Sequence, residues 1–286
     1  MTLEQLRIFV AVAEREHVTR AAKALNLTQS AVSATISTLE ARHGVHLFHR
    51  VGRGIELTDT GRAFAVEARA VLARADEAQR MLDDAAGLDR GRLSLVASQT
   101  IAGYWLPPVL ARFKARYPGI AIDLAIGNSM QTADRVRDGT AELGFIEGPL
   151  DDPALARWQV GEDRLALVGT DPPDNPDAPT LRALPWLLRE EGSGTRAALE
   201  AALRDRGVAI ETLNVVLELP SNEALLAAAA SGAGVTVLST LVAGPMIAAG
   251  RITLASFAIP PRPFFGLRHK ERYRSKAADA LLDLIE

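Results

Sequence analysis

The chain has 286 residues, of which 48% are hydrophobic and 23% charged, with a formal net charge of −3. That length supports two or three compact units with a sizeable core, and these proportions exclude wholesale disorder and a chain that is basic throughout. There is no cysteine, which excludes disulfides and thiolate metal sites and fits a reducing cytoplasm, the expected location. The first residues lack the basic-then-apolar layout of a signal peptide, and no apolar run approaches the ~18 residues of a membrane span, so no membrane association is expected.

Leu3, Leu6, Val10 and Ala13 recur at intervals of 3, 4 and 3, which predicts an amphipathic helix over residues 2–15. From Val18 to Glu40 the pattern is two short helices joined by a tight turn at Asn26-Leu27. Ala21, Ala22 and Leu25 bury the first of them, and Val32, Ile36 and Leu39 bury the second. Thr28, Gln29, Ser30 and Ser33 then point outward from the start of the second helix. A helix-turn-helix inserts that end into the major groove, where an amide such as Gln29 pairs with adenine and hydroxyls contact bases or phosphates. Gly44 ends the helix, and Val45 to Thr58 alternates around two glycines as a small β-wing, with Arg50 and Arg53 at its tip within reach of phosphates. Residues 1–58 hold seven Arg or Lys against five acids, a balance of +2, so the other 228 residues sum to −5. A mildly basic head on an acidic body suits a protein that touches DNA with one module.

From Asp59 to Leu88 alanine dominates, proline is absent and the only glycines are Gly61 and Gly87, which predicts one long helix. Phe64, Ala68, Val71, Ala75, Ala78, Leu82 and Ala85 are spaced to keep one seam facing a partner helix, so a dimerising linker is expected; packing against its own domain is the alternative. After Gly91 strands and helices alternate, and a mostly parallel sheet is expected. The strands are predicted at Arg92–Ala97, Ile120–Ile126, Leu143–Ile146, Leu165–Val168, Val215–Leu219 and Val235–Leu238. The helices are predicted at Ile101–Tyr117, Thr132–Asp138, Thr195–Arg206 and Ala224–Ala230, and Asp171–Pro179 reads as a surface loop.

Two segments place hydroxyls where a strand gives way to a helix, Ser98-Gln99-Thr100 and Gly192-Ser193-Gly194-Thr195-Arg196. Two helix N-termini facing one cleft would trap an anion, although Ser and Thr at such places also serve as plain N-caps. Asn128 and Ser129, with Met130, follow the second strand as another wall. Glu147 ends the third, where its carboxylate would repel an anion unless turned away. His43, His46 and His49 are three apart, but Gly44 breaks the helical register, and no metal or other cofactor is expected. No histidine is placed as a base beside Ser193, so catalysis is not expected.

The first 61 residues resemble the winged helix-turn-helix of LysR-type transcriptional regulators. The match runs through Leu6, Phe9, Ala21, Ala22, Leu25, Gln29, Ala31, Val32, Ser33, Ile36, Leu39, Glu40, Leu47, Phe48, Arg50, Leu57, Thr58 and Gly61. Ala34 stands where many members carry a basic residue, which shifts groove contacts towards Gln29, Ser33 and the wing. Residues 91–286 resemble the effector-binding half of that family through Leu106-Pro107-Pro108, Phe113, Tyr117-Pro118-Gly119, Gly139, Glu142-Leu143 and Ser231 to Val235.

The resemblance implies an α/β protein: a winged helix-turn-helix (1–58), a linker helix (59–90) and a two-lobed domain built like a periplasmic solute-binding protein (91–286). Lobe I would hold about 91–160 and 267–286, and lobe II about 161–266, with the chain crossing near Val160 and returning near Gly266. It further implies double-stranded DNA with a pseudo-palindromic operator as a partner, a homodimer that pairs into a tetramer, and an effector cleft lined by Ser98, Gln99, Thr100, Asn128, Ser129, Glu147, Ser193 and Thr195. The Gly-Ser-Gly-Thr-Arg segment is similar to that of relatives responding to sulfur oxyanions or small organic acids, so a compact anion is the expected effector. The competing expectation is a small-molecule-binding protein or enzyme on the two-lobe scaffold, with the head as an interaction module.

Overall fold

A computed structural model describes residues 1–52, 54–85, 87 and 90–285. The chain divides into one unit of Met1–Leu82 with Asp138–Thr140 and a second of Asp83–Arg137 with Ala141–Glu286.

The first unit carries α1 (Leu3–Arg15), α2 (Val18–Ala24), α3 (Gln29–His43), a hairpin of β1 (Phe48–Val51) and β2 (Gly54–Leu57), and most of α4 (Asp59–Ala85). Thr2 starts α1 with a capping box: its hydroxyl accepts from Gln5 N–H while the Gln5 side chain accepts from Thr2 N–H. Leu6, Phe9, Val12, Ala21, Val32, Ile36 and Leu39 form the core, and the Phe9 ring lies 5.5 Å from that of Phe48 and 4.8 Å from that of Phe64. The wing is tied down at both ends. Glu40 Oε1 accepts from the backbone of Leu47 (2.7 Å) and Phe48 (3.2 Å), and the Thr58 hydroxyl donates to the His46 carbonyl while capping Gly61 N–H. A Cβ at Gly61 would collide with the Leu47 carbonyl oxygen, so α4 can start against the wing only with glycine there.

The seam expected along α4 splits in use. Phe64 and Ala68 pack into the core of the head itself, whereas Val71 is 44% exposed and Leu82 69% exposed. The stripe available to a partner therefore begins near Val71.

In the second unit, one sheet runs in the order β4-β3-β5-β12-β6. Its strands are β3 (Gly91–Ser98), β4 (Ile120–Gly127), β5 (Leu143–Glu147), β6 (Leu155–Asp163) and β12 (Arg262–His269). One π-helical turn (Ile101–Trp105) leads into α5 (Leu106–Arg116) in place of the continuous helix expected. With α11 (Lys276–Leu282), these cover one face over Leu95, Phe113, Phe145, Phe264 and Leu281. On the other face α6 (Ser129–Asp138) packs Ala133 and Val136 with Val96 and Ile146.

The second lobe centres on β7 (Leu165–Gly169), flanked by β10 (Thr236–Ser239) and β11 (Thr253–Ala255), with a separate pair of β8 (Pro185–Arg189) and β9 (Asn214–Leu219). Its helices are α7 (Ala178–Ala183), α8 (Gly194–Arg204), α9 (Asn222–Ala230) and α10 (Thr240–Ala248).

The sheets are mixed, which corrects the expectation of mostly parallel pairing. β3 is parallel to β4 and β5, and β8 to β9, but β12 is antiparallel to β5 and β6, and β7 to both neighbours. The reason is the double crossing: a chain that leaves a lobe by one strand and re-enters by another brings the second strand back in the opposite direction. β6 runs to Asp163 before β7 begins at Leu165, and β12 starts at Arg262. β6, β8, β11, β12, α7, α10 and α11 have no counterpart in the sequence reading, and α7 begins inside the proline-bearing loop, where Asp177 caps it and Pro179 sits in its first turn.

Candidate DNA-reading helix and effector cleft

Thr28 is extended (φ −78°, ψ 149°) and caps α3: its hydroxyl accepts from Ala31 N–H at 3.2 Å and lies 3.1 Å from the Ser30 hydroxyl. Both hydroxyls are thus engaged at the helix start. Gln29 is the first residue of α3, and its Oε1 accepts from the Thr19 hydroxyl of α2 at 3.0 Å. That bond occupies Oε1, and among the described residues Nε2 is left available as a donor. Ser33 is exposed one turn further along, and Arg50 is exposed on β1. Arg53 lies outside the described residues. His49, opposite Glu56 across the hairpin, stands 3.6 Å from its carboxylate, and among the described residues no group of three or more His, Cys, Asp or Glu converges as a metal site would require.

The cleft residues come together in the second unit, where the start of α8 is already capped. Ser193 is a plain cap: its hydroxyl accepts from Thr195 N–H (3.2 Å) and Arg196 N–H (3.5 Å). The Thr195 hydroxyl is taken by Arg262 Nη1 at 3.0 Å. Asn128 closes α6 in the same way, its Oδ1 accepting from Gln131 N–H and its carbonyl from Thr132 N–H. Gln99 and Thr100 are already helical and bond to lobe II, Gln99 to Pro220 O and Asn222 N–H, Thr100 to the Asn222 carboxamide. Of the two helix starts expected to face the cleft, that of α8 has two of its amides taken by the Ser193 hydroxyl, whereas no side chain caps the helical turn after β3.

What stays open is a set of hydroxyls. Ser98 is 1% exposed and Thr132 is 0% exposed, and neither side-chain oxygen has a hydrogen-bond partner among the described residues. Both lie about Gly127, which pairs with Ser98 in register and whose missing Cβ would sit 3.7 Å from the Thr132 hydroxyl. Ser98 is no helix cap. The Glu147 carboxylate, expected to repel an anion, faces Ser129 Oγ at 3.4 Å and the Arg262 guanidinium at 3.9 Å, so part of its charge is compensated. Arg262 also binds Asp163 at 2.5 Å, and Ser239 donates to the same carboxylate at 2.8 Å. A Cβ at Gly194 would meet the Glu147 carbonyl at 2.6 Å, so glycine lets the start of α8 press on the end of β5.

The sequence reading missed Thr132, Asp163, Arg189, Glu190, Asn222, Ser239 and Arg262. The one local signal was charge at the end of an apolar run, Leu187-Leu188-Arg189-Glu190-Glu191. Burial drives the Glu190 carboxyl up, but bonds from the Arg189 guanidinium, its charge and the Asn128 amide outweigh burial, and the group is held below the ordinary glutamate value.

Comparison with known proteins adds independent support. The family model of the LysR substrate binding domain matches residues 86–286, and that of the bacterial regulatory helix-turn-helix protein, lysR family, matches residues 3–62. The uncharacterized HTH-type transcriptional regulator YeiE of Escherichia coli (strain K12) is 34% identical over 100% of this chain and 97% of its own length. The HTH-type transcriptional activator CmpR of Synechocystis sp. is 33% identical over 83% of this chain and 79% of its own. Among solved structures, full-length CbnR complexed with its target DNA aligns at TM-score 0.68 and 23% identity over 100% of this chain and 99% of that one. A cysteine-to-aspartate variant of full-length OxyR from Pseudomonas aeruginosa aligns at 0.65 and 22% over 100% and 94%. At those identities the structural likeness is one of fold.

Proposed function

The chain belongs to the LysR family of transcriptional regulators, with a DNA-binding head and an effector-binding domain, and we propose that its effector is a small anion seated against Ser98 and Thr132. The two buried, unpartnered hydroxyls carry this reading. A buried hydroxyl without a partner costs about 1–3 kcal/mol, and an oxyanion such as a sulfur oxyanion or a small organic acid offers acceptor oxygens to both. Ser129 and Asn128 form the neighbouring wall, while Gln99, Thr100, Ser193 and Thr195 shape the cleft through their bonds to other side chains and backbone. The proposed regulator is cytoplasmic, where its DNA partner lies. Among the described residues no helix is long and apolar enough to cross a membrane.

On the DNA side, Gln29 presents its Nε2 and Ser33 its hydroxyl to base edges, and Arg50 approaches phosphate, with Arg53 proposed beside it. The exposed stripe from Val71 to Leu82 on α4 supports a homodimer, which pairs two heads on a pseudo-palindromic operator and assembles further into a tetramer.

The test is a thermal-shift screen of small oxyanions and organic acids on the full chain, followed by calorimetric titration of wild type and Thr132→Val with each anion that raises the melting temperature. Valine keeps the shape and removes the donor, so affinity should fall about ten- to hundredfold. Unchanged affinity would place the anion elsewhere.

A further inference from the structure

Arg189 is 3% exposed at the end of β8 in lobe II, and each of its three guanidinium nitrogens donates a hydrogen bond. Nη1 donates to Asn222 Oδ1 at 2.5 Å, while Nε and Nη2 grip the two oxygens of Glu190, each at 2.8 Å. Both residues it holds reach across to lobe I. With Oδ1 claimed, the Asn222 carboxamide can turn only its NH2 towards Thr100, whose hydroxyl accepts at 3.1 Å, and Asn222 N–H is accepted by Gln99 Oε1 at 3.0 Å. Glu190 Oε1 in turn accepts from Asn128 Nδ2 at 3.3 Å, and Asn128 Nδ2 also donates to Glu191 O at 3.1 Å. Met130 N–H to Gly192 O, at 3.3 Å, completes that side. The bonds run without interruption from Asn128 after β4, through Arg189, to the helical turn after β3.

We propose that Arg189 is a positioning residue that holds the two lobes closed over the cleft, acting through Asn222 on one side and Glu190 on the other. The proposal rests on the cleft of the preceding section but needs no ligand. A planar guanidinium is suited to this task because its fork fixes a carboxylate and a carboxamide at once in set directions, which a single ammonium cannot do. The role is separate from holding lobe II together, since the core of that lobe is built on Leu167, Trp186, Leu188, Leu199 and Val237. Closure before binding means that an effector spends little of its binding energy on moving the lobes.

The chain has no cysteine, so two can be introduced for spin labels at exposed sites, Asp151→Cys in lobe I and Glu211→Cys in lobe II. Pulsed electron double resonance on the full chain, diluted with unlabelled chain, then reads the separation within one molecule without any anion added. Wild type should give one narrow distance, with an open population of ~10% or less. Arg189→Met with Glu190→Gln, which leaves no unpaired carboxylate, should make a longer distance the majority, and Arg189→Lys should not restore the short one. Asn222→Ala and Asn128→Ala keep the Arg189–Glu190 pair and should each open the lobes in part, which preserves the test if the double variant fails to fold. Distances unchanged from wild type in the folded variants would overturn the proposal. Because nothing is bound in this measurement, an effector that is no anion would leave its outcome untouched.

Discussion

The head and the effector domain hold their working residues in opposite ways. In the head, Thr28, Gln29, Ser30 and Ser33 lie within six successive residues, exposed, on a scaffold whose buried side is a separate set of apolar residues. In the effector domain, Ser98, Thr132, Arg189, Asn222 and Arg262 come from segments far apart in sequence and are buried. Apart from Thr28, which also caps α3, such exposed readers cost the fold little to keep, so their chemistry is largely independent of stability. A buried polar group must be satisfied by a neighbour, so in the cleft every change of chemistry is also a change of structure.

The largest expected effect tests whether the exposed side of the first unit is a surface for other molecules at all. Val71→Glu with Leu82→Glu sets carboxylates across the contact proposed between α4 helices, and should halve the size of the assembly by light scattering while leaving the helical content of the chain nearly unchanged. An assembly of unchanged size would move the interface off this stripe.

Gln29→Ala sharpens the same contrast at the groove. It should weaken binding to a selected operator by about 1–3 kcal/mol, leave salt-dependent binding to random duplex nearly intact, and not shift the melting temperature. Equal losses on both duplexes would assign Gln29 to phosphate. Thr19→Val, which frees the Gln29 carboxamide, should broaden the base preference found by selection from a randomised duplex pool.

The smallest effect is in the effector domain and depends on pH. The Glu190 carboxyl is held below its ordinary value, so its contribution is present above the unfolded value and is lost as pH falls through the folded one. The interlobe distance should therefore lengthen only in acid, below the usual carboxylate range, and stay constant around neutrality. Glu190→Gln should abolish that dependence; the same acid response in this variant would assign it to another group.

Much of the head was legible from sequence because its signals are local. The spacing of Leu6, Val32, Ile36 and Leu39, the turn at Asn26-Leu27 and the stop at Gly44, which takes φ +63°, lie within a turn or two of the elements they define. In the second unit Arg262-Pro263-Phe264-Phe265 has a proline and a charge at its start and gives no clean alternation, so β12 was not recognisable, although it lies between two strands of the main sheet. The direction of a strand is likewise absent from its composition.

Sequence alone therefore determined the helix-turn-helix, its outward residues, the long linker helix and the placing of Ser98, Asn128 and Glu147 at strand ends, since each depends on residues a few positions apart. Only the tertiary structure decided which hydroxyls remain open. Ser193 and Ser98 read alike in sequence, yet Ser193 closes its own helix while Ser98 has no hydrogen-bond partner among the described residues. The linkage of Arg189 to Asn222, and through Asn222 and Glu190 to lobe I, joins segments 33 and more positions apart. The physical reason is range: caps and hydrophobic periods act within a few residues, whereas the satisfaction of a buried polar atom depends on whichever distant segment the fold places against it.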